Sequence, residues 1–163
     1  MTANISRKFR KYLLVRTVAS ILTGVVVWGF TLALNIELAA AWGVIAFALN
    51  YIPVIGPLIA TVLPTLFTAA QFEPWQMAVV VFLGLNVIQF VIGSYLEPRF
   101  SGSALAISPF IVVLAVFFWT FLWGIPGAFI GVPVTIAMLS ACELSPASRW
   151  IATLLSGPSR DKT

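Results

Sequence analysis

The sequence predicts an all-α integral membrane protein. Two full spanning helices are each followed by a helical hairpin that proline and glycine break at its tip, and the two halves form an inverted repeat with re-entrant hairpins. Three observations predict it. Hydrophobic residues make up 61% of the 163 and charged residues only 9%, against about 45–50% apolar in soluble domains, and the mean hydropathy is +1.06. Charge-free intervals run from Thr17 to Ile36, Leu38 to Phe72, Pro74 to Leu96 and Phe100 to Cys142, and runs of this length are candidates for crossing a bilayer. Two of them are interrupted at matching places, Asn50-Tyr-Ile-Pro-Val-Ile-Gly-Pro57 and Leu122-Trp-Gly-Ile-Pro-Gly-Ala-Phe-Ile-Gly-Val-Pro133. Paired broken segments in corresponding halves are the sequence mark of a transport site.

Charge placement sets the expected topology. Five of the nine basic residues, Arg7, Lys8, Arg10, Lys11 and Arg16, precede the first apolar run, where cytoplasmic positive charge belongs. Arg99, Arg149, Arg160 and Lys162 fall on the same side if the chain crosses as expected, while Glu37 and Glu73 fall outside. Both termini are then cytoplasmic. The net charge of +4 is accounted for by topology, and no nucleic-acid partner is expected, because a nucleic-acid footprint needs a soluble basic face. A single transmembrane domain over 1–163 is expected, with a basic leader at 1–16, a first repeat at 17–71, a second at 74–142 and an interfacial helix at 145–157.

Taken in order, Leu13 to Leu34 reads as a retained span, not a signal peptide, because its apolar stretch is too long for a signal core and further segments follow. The second interval divides into Ala39 to Ile52 and Leu58 to Gln71. Each is about 21 Å as a helix, short of a core of about 30 Å, so the pair is either two tilted short spans or a re-entrant hairpin. Pro53 removes a donor and Gly56 permits backbone angles closed to other residues. Pro74 to Leu96 reads as an unbroken second span. Asn86, Gln89 and Gly93 share one of its faces, a stripe expected to face protein, either as a helix contact held by amide hydrogen bonds or as the lining of a path. After a polar loop, Ser108-Pro109 reads as a helix start. The helix meets Gly124-Ile-Pro-Gly127, and a second half continues past Pro133 to about Ala141. Ile52-Pro53 thus stands opposite Ile125-Pro126. Ser145-Pro146 and Arg149-Trp-Ile suggest the interfacial helix.

The chemistry is as informative by what is missing. The sequence has no histidine and one cysteine, Cys142, and lacks metal-spaced carboxylates, a phosphate loop and any base beside its serines. No enzyme, metal or cofactor is expected. Function falls to polar groups near the breaks: Asn50, Thr61 and Thr65 at the first, Asn86 and Gln89 on the second span, and carbonyls freed by Pro53 and Pro126. Glu97, at the end of the second span, is the candidate for proton coupling, with an ion pair to Arg99 or Arg16 as its structural alternative. The expected function is secondary transport of a small polar solute or cation. The competing reading is a non-transporting oligomerisation module, or the truncated half of a transporter.

Asn50-Tyr-Ile-Pro-Val-Ile-Gly-Pro57, Leu96-Glu-Pro98 followed by Ser108-Pro109, Trp123-Gly-Ile-Pro-Gly127 with Val132-Pro133, and Arg149-Trp-Ile resemble successive signatures of the AI-2E transporter family, also called the autoinducer-2 exporter or PerM family. The resemblance covers nearly the whole chain. It implies a bacterial inner-membrane protein, with members proposed to export autoinducer-2 and others proposed to exchange sodium for protons, assembled as a homo-oligomer. Family members are about twice this length, so the chain resembles the carboxy-terminal half. Carried over by motif, Asn50, Pro53, Gly56, Pro57, Glu97, Pro98, Pro109, Gly124, Gly127 and Pro133 are motif positions.

Overall fold

The computed structural model describes residues 2–96, 99 and 108–144. They form six helices and, among the described residues, no strand: α1 (Thr2–Ala33), α2 (Ala39–Leu49), α3 (Ile55–Gln71), α4 (Trp75–Phe90, continued by a π-helix, Val91–Leu96), α5 (Pro109–Trp123) and α6 (Ile125–Leu144). The chain falls into two compact units, one formed by Val15–Phe100 and the other by Met1–Leu14 with Ser101–Thr163. Two helical stretches are long and apolar enough to cross a membrane, Arg10–Ala33 and Trp75–Leu96, where the sequence places the two full spans.

In the first unit the usual soluble pattern is reversed. Along α1, Leu14, Val18, Ile21, Val25, Trp28 and Leu32 form an exposed stripe, whereas Arg16, Ser20, Thr23, Val27 and Thr31 form a buried one. Both follow the three-and-four spacing of a helix face. The buried hydroxyls are satisfied within the helix, Thr23 donating to the Ala19 carbonyl at 2.9 Å and Thr31 to that of Val27 at 2.8 Å. Small residues let helices touch where lipid supplies no hydrophobic drive between them. At the α1/α2 crossing a Cβ on Gly24 would stand 2.9 Å from the Gly43 carbonyl oxygen, and one on Gly43 would stand 2.7 Å from the Trp28 Cβ. The Phe30 ring fills the space where Gly84 of α4 lacks a side chain. Leu22 and Val26 lie opposite Val87, Ile88, Val91 and Ile92, so α1 and α4 run antiparallel.

The hairpin of α2 and α3 is closed at both ends. Gln71 accepts from the Glu37 N–H at 2.9 Å and donates to the Asn35 carbonyl at 3.1 Å, tying the end of α3 to the α1–α2 turn. Trp42 packs on Phe67 at 5.3 Å between ring centroids, near the same end. Val27, Ala46, Ala60, Val81 and Leu85 make the buried apolar centre.

The helix limits differ from the sequence expectation in ways that bear on the breaks. α1 begins at Thr2, so the basic leader is itself helical. The first break is the five residues Asn50 to Val54, and Gly56 and Pro57 belong to the first turn of α3. The second break is Gly124 alone, and Pro126 and Gly127 lie in the first turn of α6. With 17 residues in α3 and 20 in α6, these arms are about 26 and 30 Å long. Proline at the start of a helix has no lost bond to make good, which is why Pro57 and Pro126 extend the arms. The short-segment argument for re-entrance therefore holds for α2, not for α6. The second span is not uniform: its last six residues form a π-helix. The expected interfacial helix at 145–157 lies outside the described residues.

The two breaks share one contact. A Cβ on Gly56 would collide with the Leu49 carbonyl, and a Cβ on Gly127 with the Trp119 carbonyl. This pairs Gly56 with Gly127, where the sequence motif pairs Ile52-Pro53 with Ile125-Pro126. Gly56→Ala and Gly127→Ala are each expected to lower stability by about 1–3 kcal/mol through overpacking. Gly29, where an added Cβ would meet nothing within 4 Å, should gain or stay level on change to Ala because Ala is the better helix former. Thermal unfolding in detergent distinguishes the three, and equal effects at all would remove the close-contact explanation.

Candidate solute-pathway site at the helix breaks

Asn50 caps α2 at the point where the chain leaves the helix and is 5% exposed. Its Nδ2 donates to the Ser20 Oγ on α1 at 3.2 Å, and the neighbouring Tyr51 hydroxyl donates to the Thr17 Oγ1 at 2.9 Å. The first break is thus tethered to α1 by two side-chain bonds. Ser20 lies 13 residues before the end of α1 at Ala33, a distance of about 20 Å. The tip of the α2–α3 hairpin therefore stands at the level where the charge-free part of α1 begins.

The turn is strained. Val54 has φ 67° and ψ −57°, and the Ile55 N–H donates to the Pro53 carbonyl at 2.8 Å, which together make a γ-turn of the rare positive-φ type. A β-branched residue there is a steric outlier, and such strain persists only where the surroundings impose it. Here Pro53 fixes one side and the Gly56–Leu49 contact the other.

The second break is built differently. Gly124 has φ 64° and ψ −146°, a conformation essentially confined to glycine, and its N–H donates to the Thr120 carbonyl at 2.7 Å. The arms are held together below the tip by Trp119, whose Nε1 donates to the Thr135 Oγ1 at 3.0 Å and whose side chain lies over Gly131. Pro133 is buried inside α6.

The candidate residues do not form one cluster. Asn50, Pro53, Gly56, Pro57 and Thr61 meet around the first break, with the Thr61 hydroxyl donating to the Pro57 carbonyl at 2.9 Å and Thr65 to that of Thr61 at 2.8 Å. Gly124, Pro126, Gly127 and Pro133 belong to the second unit. Asn86 is exposed, with Nδ2 donating to the Phe82 carbonyl of its own helix at 2.7 Å, and Gly93 is exposed within the π-helix. The stripe expected to face protein is therefore only partly covered: Gln89 alone is half-buried, its Nε2 enclosed and without a hydrogen-bond partner. The π-turn is part of the reason, because it shifts Gly93 around the helix. Arg99 sits over the Tyr95 ring, 5.1 Å from its centroid, and donates to the Tyr95 hydroxyl at 3.3 Å. Glu97 and Pro98 lie outside the described residues. Among the described residues no group of His, Cys, Asp and Glu has metal-binding geometry.

Sequence reasoning missed Thr17, Ser20 and Tyr51. The signal was available in the recurrence of Arg16, Ser20, Thr23 and Thr31 on one face of α1, a polar stripe within an apolar run. Arg16, assigned to the leader, is buried at 7% exposure one turn before Ser20.

Known proteins share this chain's sequence over most of its length. Residues 1–146 match the family described as AI-2E family transporter. The AI-2 transport protein TqsA of Escherichia coli K12 is 40% identical over 145 residues, covering 89% of this chain and 42% of that protein. YhhT of the same strain is 35% identical over 152 residues, covering 93% and 43%, and a Haemophilus influenzae protein is 35% identical over 144, covering 88% and 41%. The chain spans less than half the length of these curated relatives.

If the Asn50–Ser20 bond anchors the break, Asn50→Ala and Ser20→Ala will each destabilise the chain. The double variant should fall short of their sum by about 0.5–1.5 kcal/mol. Denaturant unfolding in micelles measures the difference, and strict additivity would show that the two side chains do not act together.

Proposed function

This chain belongs to the AI-2E family of transporters, and on that premise we propose that it is the hairpin-bearing part of a secondary transporter of the bacterial cytoplasmic membrane, with both termini cytoplasmic. The observation that carries the reading is the pair of broken hairpins, each closed by a glycine lying on the carbonyl of the preceding helix, Gly56 on Leu49 and Gly127 on Trp119. Broken helices leave backbone groups free at membrane depth, and these are tolerated only inside protein or beside water. The hairpins enter from opposite faces as an inverted repeat, the first with its tip toward the cytoplasm and the second with its tip outward. The antiparallel course of α1 and α4 supports this arrangement, as does the basic leader. The name of the TqsA relative supports a small polar solute of the AI-2 type as cargo, and the homo-oligomeric assembly implied by the family resemblance is part of the same proposal.

The charge pattern bears on coupling. Between residues 17 and 96 the only ionisable acids or bases other than tyrosine are Glu37 and Glu73, both in turns. A proton-coupled cycle then rests on Glu97.

Flux into liposomes tests the proposal. Reconstituted chain should accumulate labelled solute by counterflow, and Glu97→Gln should abolish any dependence on a pH gradient. A chain that assembles stably and moves neither solute nor cation, while longer relatives do, supports the oligomerisation reading instead. Hairpin orientation has its own check in a Cys142→Ser background. Val54→Cys should react with an impermeant maleimide added from the cytoplasmic side, and Ile125→Cys with reagent added outside. Labelling of both from one side would remove the inverted arrangement.

A further inference from the structure

We propose that Gln89 is a solute-contacting residue: its enclosed amide donates a hydrogen bond to an uncharged polyhydroxy solute admitted beside α3 and α4. The inference rests on the transport reading and names the solute class.

The Gln89 Nε2 is enclosed by protein and has no hydrogen-bond partner. A buried donor left without an acceptor is costly, and the cost is greatest where no water can relieve it. Gln89 lies near the middle of the Trp75–Leu96 stretch, so its amide is placed at mid-depth of the expected span. It does not belong to the apolar seam between α4 and α1, which Val87, Ile88, Val91 and Ile92 line from the α4 side.

α3 supplies the complement. Pro64 lies inside α3 and has no N–H to give the Ala60 carbonyl four residues earlier. Ala60 is 2% exposed and belongs to the same buried cluster as Leu85, one turn before Gln89. One buried region thus holds a donor and an acceptor whose bonds are unmade. A hydroxyl group answers both, accepting from an amide and donating to a carbonyl.

Charge selects the class. No Lys or Arg occurs between residues 17 and 98, and the acids between 17 and 96 are Glu37 and Glu73 alone, in turns at the helix ends. An anion would have no cation to meet at this depth, and an alkali cation has no use for an N–H. A second copy of the chain is the wrong occupant for a different reason. A helix docking on the exposed side of α4 would reach Asn86, but not an amide nitrogen already enclosed. The structure is accordingly a closed state, and the solute reaches Gln89 when the packing around α4 opens.

The test uses the full chain in detergent with erythritol as the probe and sodium against potassium as the cation control. Erythritol is kept at low millimolar concentration, below the range in which polyols stabilise proteins by exclusion. The wild type should melt higher with erythritol and show no preference for sodium. Gln89→Met, close in volume and without the amide, should melt higher than wild type before any solute is added and need at least about tenfold more erythritol for the same response. Gln89→Leu should behave likewise, which guards against a local misfit of one variant. A Gln89→Met chain that melts below wild type without solute, a wild type that ignores erythritol, or variants that respond as wild type does would each overturn the proposal. Counterflow in liposomes separates the two readings: an erythritol response that depends on Gln89 without wild-type flux retains the binding site and removes the transport function.

Discussion

Backbone contact at glycine is the constraint on which this structure depends. In lipid the apolar side chains gain nothing by leaving their surroundings for one another, so helices associate by fitting closely and by bonding what polar groups they carry. Gly24 and Gly43 let α1 and α2 cross with almost no side chain between them, Gly84 accepts the Phe30 ring, and Gly56 and Gly127 seat the start of one helix on the carbonyl that ends the helix before it. Substituting larger residues at these sites would separate the helices, and with them the hydroxyl groups that line the interior.

The exterior follows from the same constraint. Large apolar side chains point outward along α1, α4 and α5, with Phe121 89% exposed, while Ser20, Thr23, Thr31, Thr61 and Thr68 are buried. Each of the four threonines donates to the carbonyl four residues earlier in its own helix, the back-bonding that makes hydroxyl residues tolerable in a helix interior. Their protons are committed while their oxygens can still accept, so the interior is polar without being charged. That is a surface suited to passing a neutral hydrogen-bonding molecule.

Much of this was legible in the sequence. Charge-free intervals located both long spans, and proline with glycine located both breaks, because these signals act through the local backbone. Ser108-Pro109 marked the start of α5, although Ser108 makes no side-chain cap bond. The lengths of the arms were not legible. Pro57 and Pro126 read as interruptions but sit in the first turn of a helix, where proline is accommodated, and only tertiary packing decides between those outcomes. The anchoring of the first break was equally hidden, since Ser20 and Asn50 are 30 residues apart in the chain. The exposure of Asn86 reflects which helices surround α4, which helical periodicity does not encode.

The π-helix at Val91–Leu96 has a consequence for descent among related chains. A π-turn is one residue more than an α-helix needs over the same path, so it behaves as an insertion held in the middle of a span. Removing a single residue there would restore the α-helical ladder and swing everything beyond it by about 100°. The Tyr95–Arg99 pair, at the end of the segment, would then face a different neighbour. Among sequences of this kind, a gap of one residue near Gly93 would move the whole loop that follows to another side of the span, a far larger change than any substitution at the same place.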